Sequence, residues 1–75
     1  MKDDNQQLKK ALSKNIKKYR ARLKLTQEEA AESAGITMKY WQRLEMVSQV
    51  DLPSLPTLKK IAKALKISPS KLLDF

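Results

Sequence analysis

The 75-residue chain contains no cysteine and no histidine. The first absence excludes a disulfide framework and a thiolate metal site; the second removes the commonest metal ligand and the side chain that titrates near neutral pH. General-base, nucleophilic and metal chemistry have no evident carrier, so no catalytic residue, no metal site and no cofactor is expected. Apolar runs reach only two or three residues, which leaves no candidate membrane span and no core of a secretory signal. A reducing, cytoplasmic location is the default expectation. Glycine occurs once, at Gly35. A domain of this size buries only roughly 60% of its unfolded surface, so it must stand on efficient packing.

What the chain has in excess is positive charge: sixteen Lys and Arg against eight Asp and Glu, a net charge of +8. Such a balance points to an anionic partner, nucleic acid before a membrane surface. The charge is unevenly spread. Residues 1–25 hold nine basic and two acidic side chains, residues 26–52 two and five, and residues 53–75 five and one. The central segment is thus net acidic and is flanked by basic ones.

Leu8, Leu12, Ile16, Tyr19 and Leu23 recur at helical spacing and predict a first helix from about Asn5 to Lys24. Residues 1–7 read as a loosely ordered N-terminal extension. Lys9, Lys10, Lys14, Lys17, Lys18 and Arg22 fall on the other faces, where they serve solubility or meet phosphates. The pattern lacks the Trp and Phe that a membrane-surface helix would carry on its apolar side. Thr26 and Glu29 form a capping box that starts a second helix at Gln27, and Gly35 ends it in the left-handed position that glycine favours. Thr37 caps a third helix, Met38 to about Glu45. Tyr40, Trp41 and Leu44 lie on one side of it, and Met38, Lys39, Gln42 and Arg43 on the other. "MVSQVDL" (46–52) reads as a loop. Ser54 precedes a fourth helix with Leu58, Ile61, Ala62 and Leu65 as its stripe, and Ser68–Pro69 opens a fifth. With five helices, no strand signal and no repeat, the fold class is all-α: one compact five-helix domain spanning residues 1–75.

Two short helices joined by a glycine-containing turn, the second with a polar outer face, describe a helix-turn-helix. "LTQEEAAESAGITMKYWQRLE" followed by "PSLPTLKKIAKALKISPSKLL" resembles the lambda-repressor-like, xenobiotic-response-element type of DNA-binding domain. That family includes phage repressors and Cro proteins, restriction-modification controller proteins and some antitoxins. The resemblance covers about residues 12 to 73. It implies that the third helix enters the major groove of double-stranded DNA, with Met38, Lys39, Gln42 and Arg43 at base edges. Gln27, Thr37 and Tyr40 match phosphate-facing positions. It also implies a pair between Arg20 and Glu45, which would make Arg20 a strut. The chemistry of the side chains agrees: arginine pairs bidentately with guanine O6 and N7, glutamine with adenine N6 and N7, and methionine offers apolar contact.

Three departures from the family pattern stand out. Trp41 occupies a usually aliphatic position and Ala30 a usual leucine position, a swap that conserves core volume. Glu45 is followed by Met46 and Val47, where glycine and basic residues are common, and the loop is about two residues longer. Phosphate contacts from this loop therefore fall to the neutral Ser48 and Gln49.

The expected function is sequence-specific regulation of transcription, as a repressor or a restriction-modification controller. Binding would be as a homodimer on a (pseudo)palindromic operator, paired through the C-terminal Leu72, Leu73 and Phe75. RNA polymerase or an operon partner protein would be a further contact, and no membrane partner is expected. The alternative is an antitoxin or adaptor in which the helix-turn-helix is retained but the main partner is another protein.

Overall fold

Helix boundaries in this chain follow from groups that satisfy otherwise free peptide N–H and C=O groups. The computed structural model describes residues 4–49 and 51–74. It has α1 (Asp4–Arg22), α2 (Gln27–Ala34), α3 (Met38–Glu45), α4 (Leu55–Ala64) and α5 (Pro69–Leu72), with no strand among the described residues. The segment read as a loose extension is helical from Asp4 onward, and residues 1–3 lie outside the described residues.

The capping box forms as expected: the Glu29 N–H donates to Thr26 Oγ1 at 3.0 Å, and the Thr26 N–H to Glu29 Oε1 at 2.8 Å. The Thr37 hydroxyl accepts from the Tyr40 N–H at 3.1 Å, and Ser54 Oγ from the Thr57 N–H at 3.4 Å. Ser68 stands at the start of α5 but makes no side-chain cap, and its hydroxyl meets that of Ser70 at 2.9 Å.

The helix ends explain how one glycine suffices. Gly35 has φ +73°, and the Ile36 N–H reaches back to Ala31 O at 3.0 Å. A Cβ at Gly35 would meet nothing within 4 Å, so backbone conformation and not space selects glycine there. The same left-handed termination follows α1 and α4, where Lys24 (φ 56°) and Lys66 (φ 59°) take the position. There the Leu25 N–H returns to Arg20 O and the Ile67 N–H to Ala62 O. Lysine bears the steric cost of this conformation at both places.

α3 ends differently. Met46 is extended, at φ −88° and ψ 111°. The last carbonyls of the helix are met by side chains of α1: Lys9 Nζ donates to Arg43 O at 3.0 Å and to Met46 O at 2.8 Å, and Ser13 Oγ to Leu44 O at 2.7 Å. Lys9 is therefore 1% exposed and belongs to the interior, not to the solvated or phosphate-facing lysines with which its sequence context grouped it. Burial lowers its pKa, the charge of Asp51 opposing the shift and that of Arg43 adding to it.

The buried face of α1 is Lys9, Leu12, Ser13 and Ile16. It is rotated from the expected leucine stripe, and Leu8 and Leu23 are exposed. The core joins Leu12 and Ile16 to Ala30, Ala31, Trp41, Leu44, Leu58, Ile61, Leu65 and Leu72. Trp41 and Ala30 are both fully buried, in keeping with the volume swap. α3 packs on α1 and α2, α4 on α2 and α5, and α5 on α1. Asn15 on α1 donates to Leu72 O at 2.9 Å and Asp74 O at 3.2 Å, which closes the end of α5.

Two expectations test this account. Gly35→Ala lowers stability by about 1 kcal/mol, whereas Lys66→Gly raises it by as much as about 1 kcal/mol; urea midpoints moving in the same direction would refute the termination scheme. Lys9→Met removes the ammonium from two carbonyls that each keep one backbone N–H donor, and costs about 1–3 kcal/mol. A surface lysine would show no such loss in the same titration.

Candidate nucleic-acid interface

α2 and α3, joined through Gly35, Ile36 and Thr37, place one helix with two distinct sides at the surface. Trp41 and Leu44 anchor the inner side of α3, while Met38, Lys39, Gln42 and Arg43 are all exposed on the outer side. Lys39 and Arg43 stand four residues apart, a like-charge spacing that is unfavourable in an isolated helix and that a shared anion relieves. The other residues expected at the site are less free. Thr37 uses an oxygen lone pair for its cap and retains a hydroxyl proton. Tyr40 is half-buried against the core. Gln27 is half-buried, and its amide nitrogen donates to Glu45 Oε1 at 3.0 Å. A phosphate at the start of α2 would meet the second amide hydrogen of Gln27 or a backbone N–H, where the helix dipole favours an anion.

The pose of α3 is set by Glu45. Its carboxylate accepts from Arg20 Nε at 2.5 Å, Arg20 Nη2 at 3.0 Å, Trp41 Nε1 at 2.7 Å and Gln27 Nε2 at 3.0 Å. One side chain thus joins α1, the start of α2 and the preceding turn of α3. Arg20 also donates from Nη1 to Leu25 O at 2.8 Å, fixing the turn that leads into α2. The Arg20–Glu45 pair is the expected strut; the contributions of Trp41 and Gln27 come from the tertiary structure. Burial pushes the Glu45 carboxyl up, but hydrogen bonds from Arg20, Trp41 and Gln27 and the Arg20 charge outweigh it and hold the group below its ordinary value. No buried side-chain nitrogen or oxygen among the described residues lacks a partner.

Two features were missed in the sequence. Arg43 Nη2 donates to Asp51 Oδ2 at 2.8 Å, a pair eight residues apart that no local pattern predicts. Lys9, by contrast, had a signal: it shares helical spacing with Leu12, Ser13 and Ile16. At the edge of the core on α1, the half-buried Tyr19 ring lies beneath Lys18 Nζ at 5.3 Å and the Arg22 guanidinium at 5.4 Å, a cation–π arrangement.

Comparison with known proteins follows the same geometry. The family model HTH_3, described as helix-turn-helix, matches residues 16–72. The chain belongs to this helix-turn-helix family of DNA-binding transcriptional regulators. Among solved structures it is similar to the clp gene regulator ClgR from C. glutamicum, with 27% identity, a TM-score of 0.78, and coverage of 88% of this chain and 83% of that one. It is also similar to the hypothetical transcription factor NHTF from Neisseria, with 28% identity, a TM-score of 0.81, and coverage of 93% and 78%. No curated protein sequence matches it. Among the described residues, no helix of this helix-turn-helix protein is long and apolar enough to cross a membrane.

The Glu45 assembly has a direct test. Its depressed pKa means that its stabilisation is complete above the unfolded carboxyl value, about 4.3, and is lost as the pH falls through the folded value. Melting temperature should therefore drop steeply below about pH 4 in the wild type. Arg20→Ala leaves a buried, unpaired carboxylate and costs about 3–5 kcal/mol at pH 7, a large share of the stability of so small a domain. If Arg20→Ala melted like the wild type at pH 7, the strut would not exist.

Proposed function

We propose that this regulator binds a (pseudo)palindromic operator as a homodimer, one α3 per half-site in the major groove, and represses transcription from it. The exposed row Met38, Lys39, Gln42 and Arg43, backed by buried Trp41 and Leu44, is the single feature that supports this reading most strongly. Arg43 and Gln42 carry the hydrogen-bonding chemistry for base edges, Lys39 a mobile charge, and Met38 an apolar contact. Gln27, Thr37 and Tyr40 at the near ends of α2 and α3 face phosphates and set register. The lysines of α1 and α4 supply long-range attraction without choosing sequence. The likeness to a clp gene regulator and to a hypothetical transcription factor accords with control of gene expression.

The surface available for pairing differs from the one anticipated. Leu72 is fully buried in the core and cannot contribute to an interface, because α5 closes on α1 and α4 through it. Phe75 lies outside the described residues. Leu73 remains exposed at 44%, and it borders an apolar groove with Leu8 and Leu52, each 42% exposed, and Pro53. This groove joins the start of α1, the loop before α4 and the end of α5. The second protomer seats on it.

Arg43→Ala should reduce discrimination at one base pair in each half-site by about 1–3 kcal/mol while leaving the melting curve in place. Selection of bound sequences from random DNA reads this out and reports symmetry and half-site spacing together. A selected site without two-fold symmetry would reject the homodimer. Leu73→Glu should convert the dimer to a folded monomer in sedimentation and weaken operator binding; a variant that stays dimeric would move the interface elsewhere.

A further inference from the structure

We propose that Asp51 is a specificity-determining residue that positions Arg43 for base reading and withholds it from phosphates. The proposal rests on the assignment of Arg43 to a base edge. The geometry pointing to Asp51 is the 2.8 Å hydrogen bond from Arg43 Nη2 to Asp51 Oδ2, formed between side chains 49% and 52% exposed. At that exposure the pair adds little to folding, since surface ion pairs are nearly neutral for stability. Its consequence is for where the guanidinium points.

Arg43 leaves from a fixed base. The end of α3 is clamped by Lys9 Nζ on Arg43 O and Met46 O and by Ser13 Oγ on Leu44 O. The loop then turns through the Gln49 N–H on Met46 O at 3.1 Å before it reaches Asp51, and Pro53 follows two residues later. The Lys9 ammonium interacts favourably with Asp51 and unfavourably with Arg43, which favours the carboxylate lying between the two cations. The acid thus lies beside two cations and draws the arginine to itself through the 2.8 Å hydrogen bond.

Three physical consequences follow. A free arginine side chain loses much rotamer freedom when it docks on a base, and a guanidinium already tethered in the unbound protein has less to lose. The tether uses one of five guanidinium N–H donors and leaves the others for the bidentate fork that guanine O6 and N7 require. A carboxylate beside the reading head also repels phosphates, so binding that depends on Arg43 as a point charge is penalised on every sequence. Asp51 therefore trades general affinity for discrimination. It sits in the segment 46–52 that lacks the basic residues expected after the recognition helix, where it gives that segment a function opposite to backbone attraction.

The experiment compares wild type, Asp51→Asn, Asp51→Glu and Arg43→Ala by selection from random DNA and by salt-dependent titration of operator and non-operator duplexes. Asp51→Asn should bind non-operator DNA more tightly, with a log–log salt slope steeper by up to about 0.9 per protomer. It should prefer the same base at the Arg43 position by about fivefold less, the effect expected from losing part of the arginine's pre-ordering. Asp51→Glu should recover part of the preference. In the free protein, the Arg43 guanidinium Nη–H resonances should lose protection from exchange in Asp51→Asn while the melting temperature stays unchanged. Selectivity lost in Arg43→Ala but kept in Asp51→Asn overturns the role of Asp51 alone. Selectivity kept in Arg43→Ala overturns the base-reading assignment and the Asp51 role with it. An Asp51→Asn protein that binds operator and non-operator DNA more tightly by the same factor shows simple charge repulsion and also refutes the proposal.

Discussion

The buried carboxylate of Glu45 is the constraint on which the placement of α3 depends. It gathers N–H donors from Arg20 on α1, Gln27 on α2 and Trp41 on α3. A charge in so dry a place is tolerable only when paired and fully hydrogen-bonded, so the three elements are obliged to meet at one point. Nonpolar packing of short helices would permit them to slide, since dispersion and burial are non-directional. Four directed bonds to one carboxylate do not permit it. The helix carrying Arg43 and Gln42 is consequently fixed relative to the start of α2, the spacing on which the proposed base and phosphate contacts rely.

The same logic extends to the far end of α3. Where a left-handed glycine would usually close the helix, Lys9 and Ser13 reach across from α1 to its last carbonyls. The arrangement ties α3 to α1 at its exit and lets the chain leave in an extended direction through Met46. That exit path brings Asp51 back to Arg43. A capping device and the environment of Arg43 are therefore two parts of one construction, and both originate in the side chains of a single face of α1.

The charge distribution acquires a physical sense from these contacts. The acidic residues of the central segment are mostly engaged within the protein: Glu29 in its capping box, Glu45 in the strut, Asp51 on Arg43. The net negative count of that segment does not describe the potential at the outer face of α3, where Lys39 and Arg43 are the exposed charged residues of the helix. On the proposed reading, attraction to a polyanion comes from the flanking basic helices, and selection from a small, nearly neutral head. The two tasks are separated in sequence and combined by folding.

The all-α class, the boundaries of the middle helices and the polar face of α3 were legible in the sequence because each depends on residues within about one helical turn: Thr26 with Glu29, Thr37 with Tyr40, Gly35 with Ala31, and the 100° stepping that separates Trp41 from Gln42. Family resemblance added the Arg20–Glu45 pair. What the amino-acid order could not specify was decided by contacts over long separations. Lys9 caps a helix 34 to 37 residues away, Asn15 closes one 57 residues away, and Leu72 fills the core between helices instead of facing a partner. Periodicity distinguishes an inner from an outer face but does not say how far a helix is rotated against its neighbours, and a rotation small enough to expose Leu8 is enough to bury Lys9. Local rules determined which helices form and which face of α3 is polar; the packing of α1 against the other helices decided which charges remain outside.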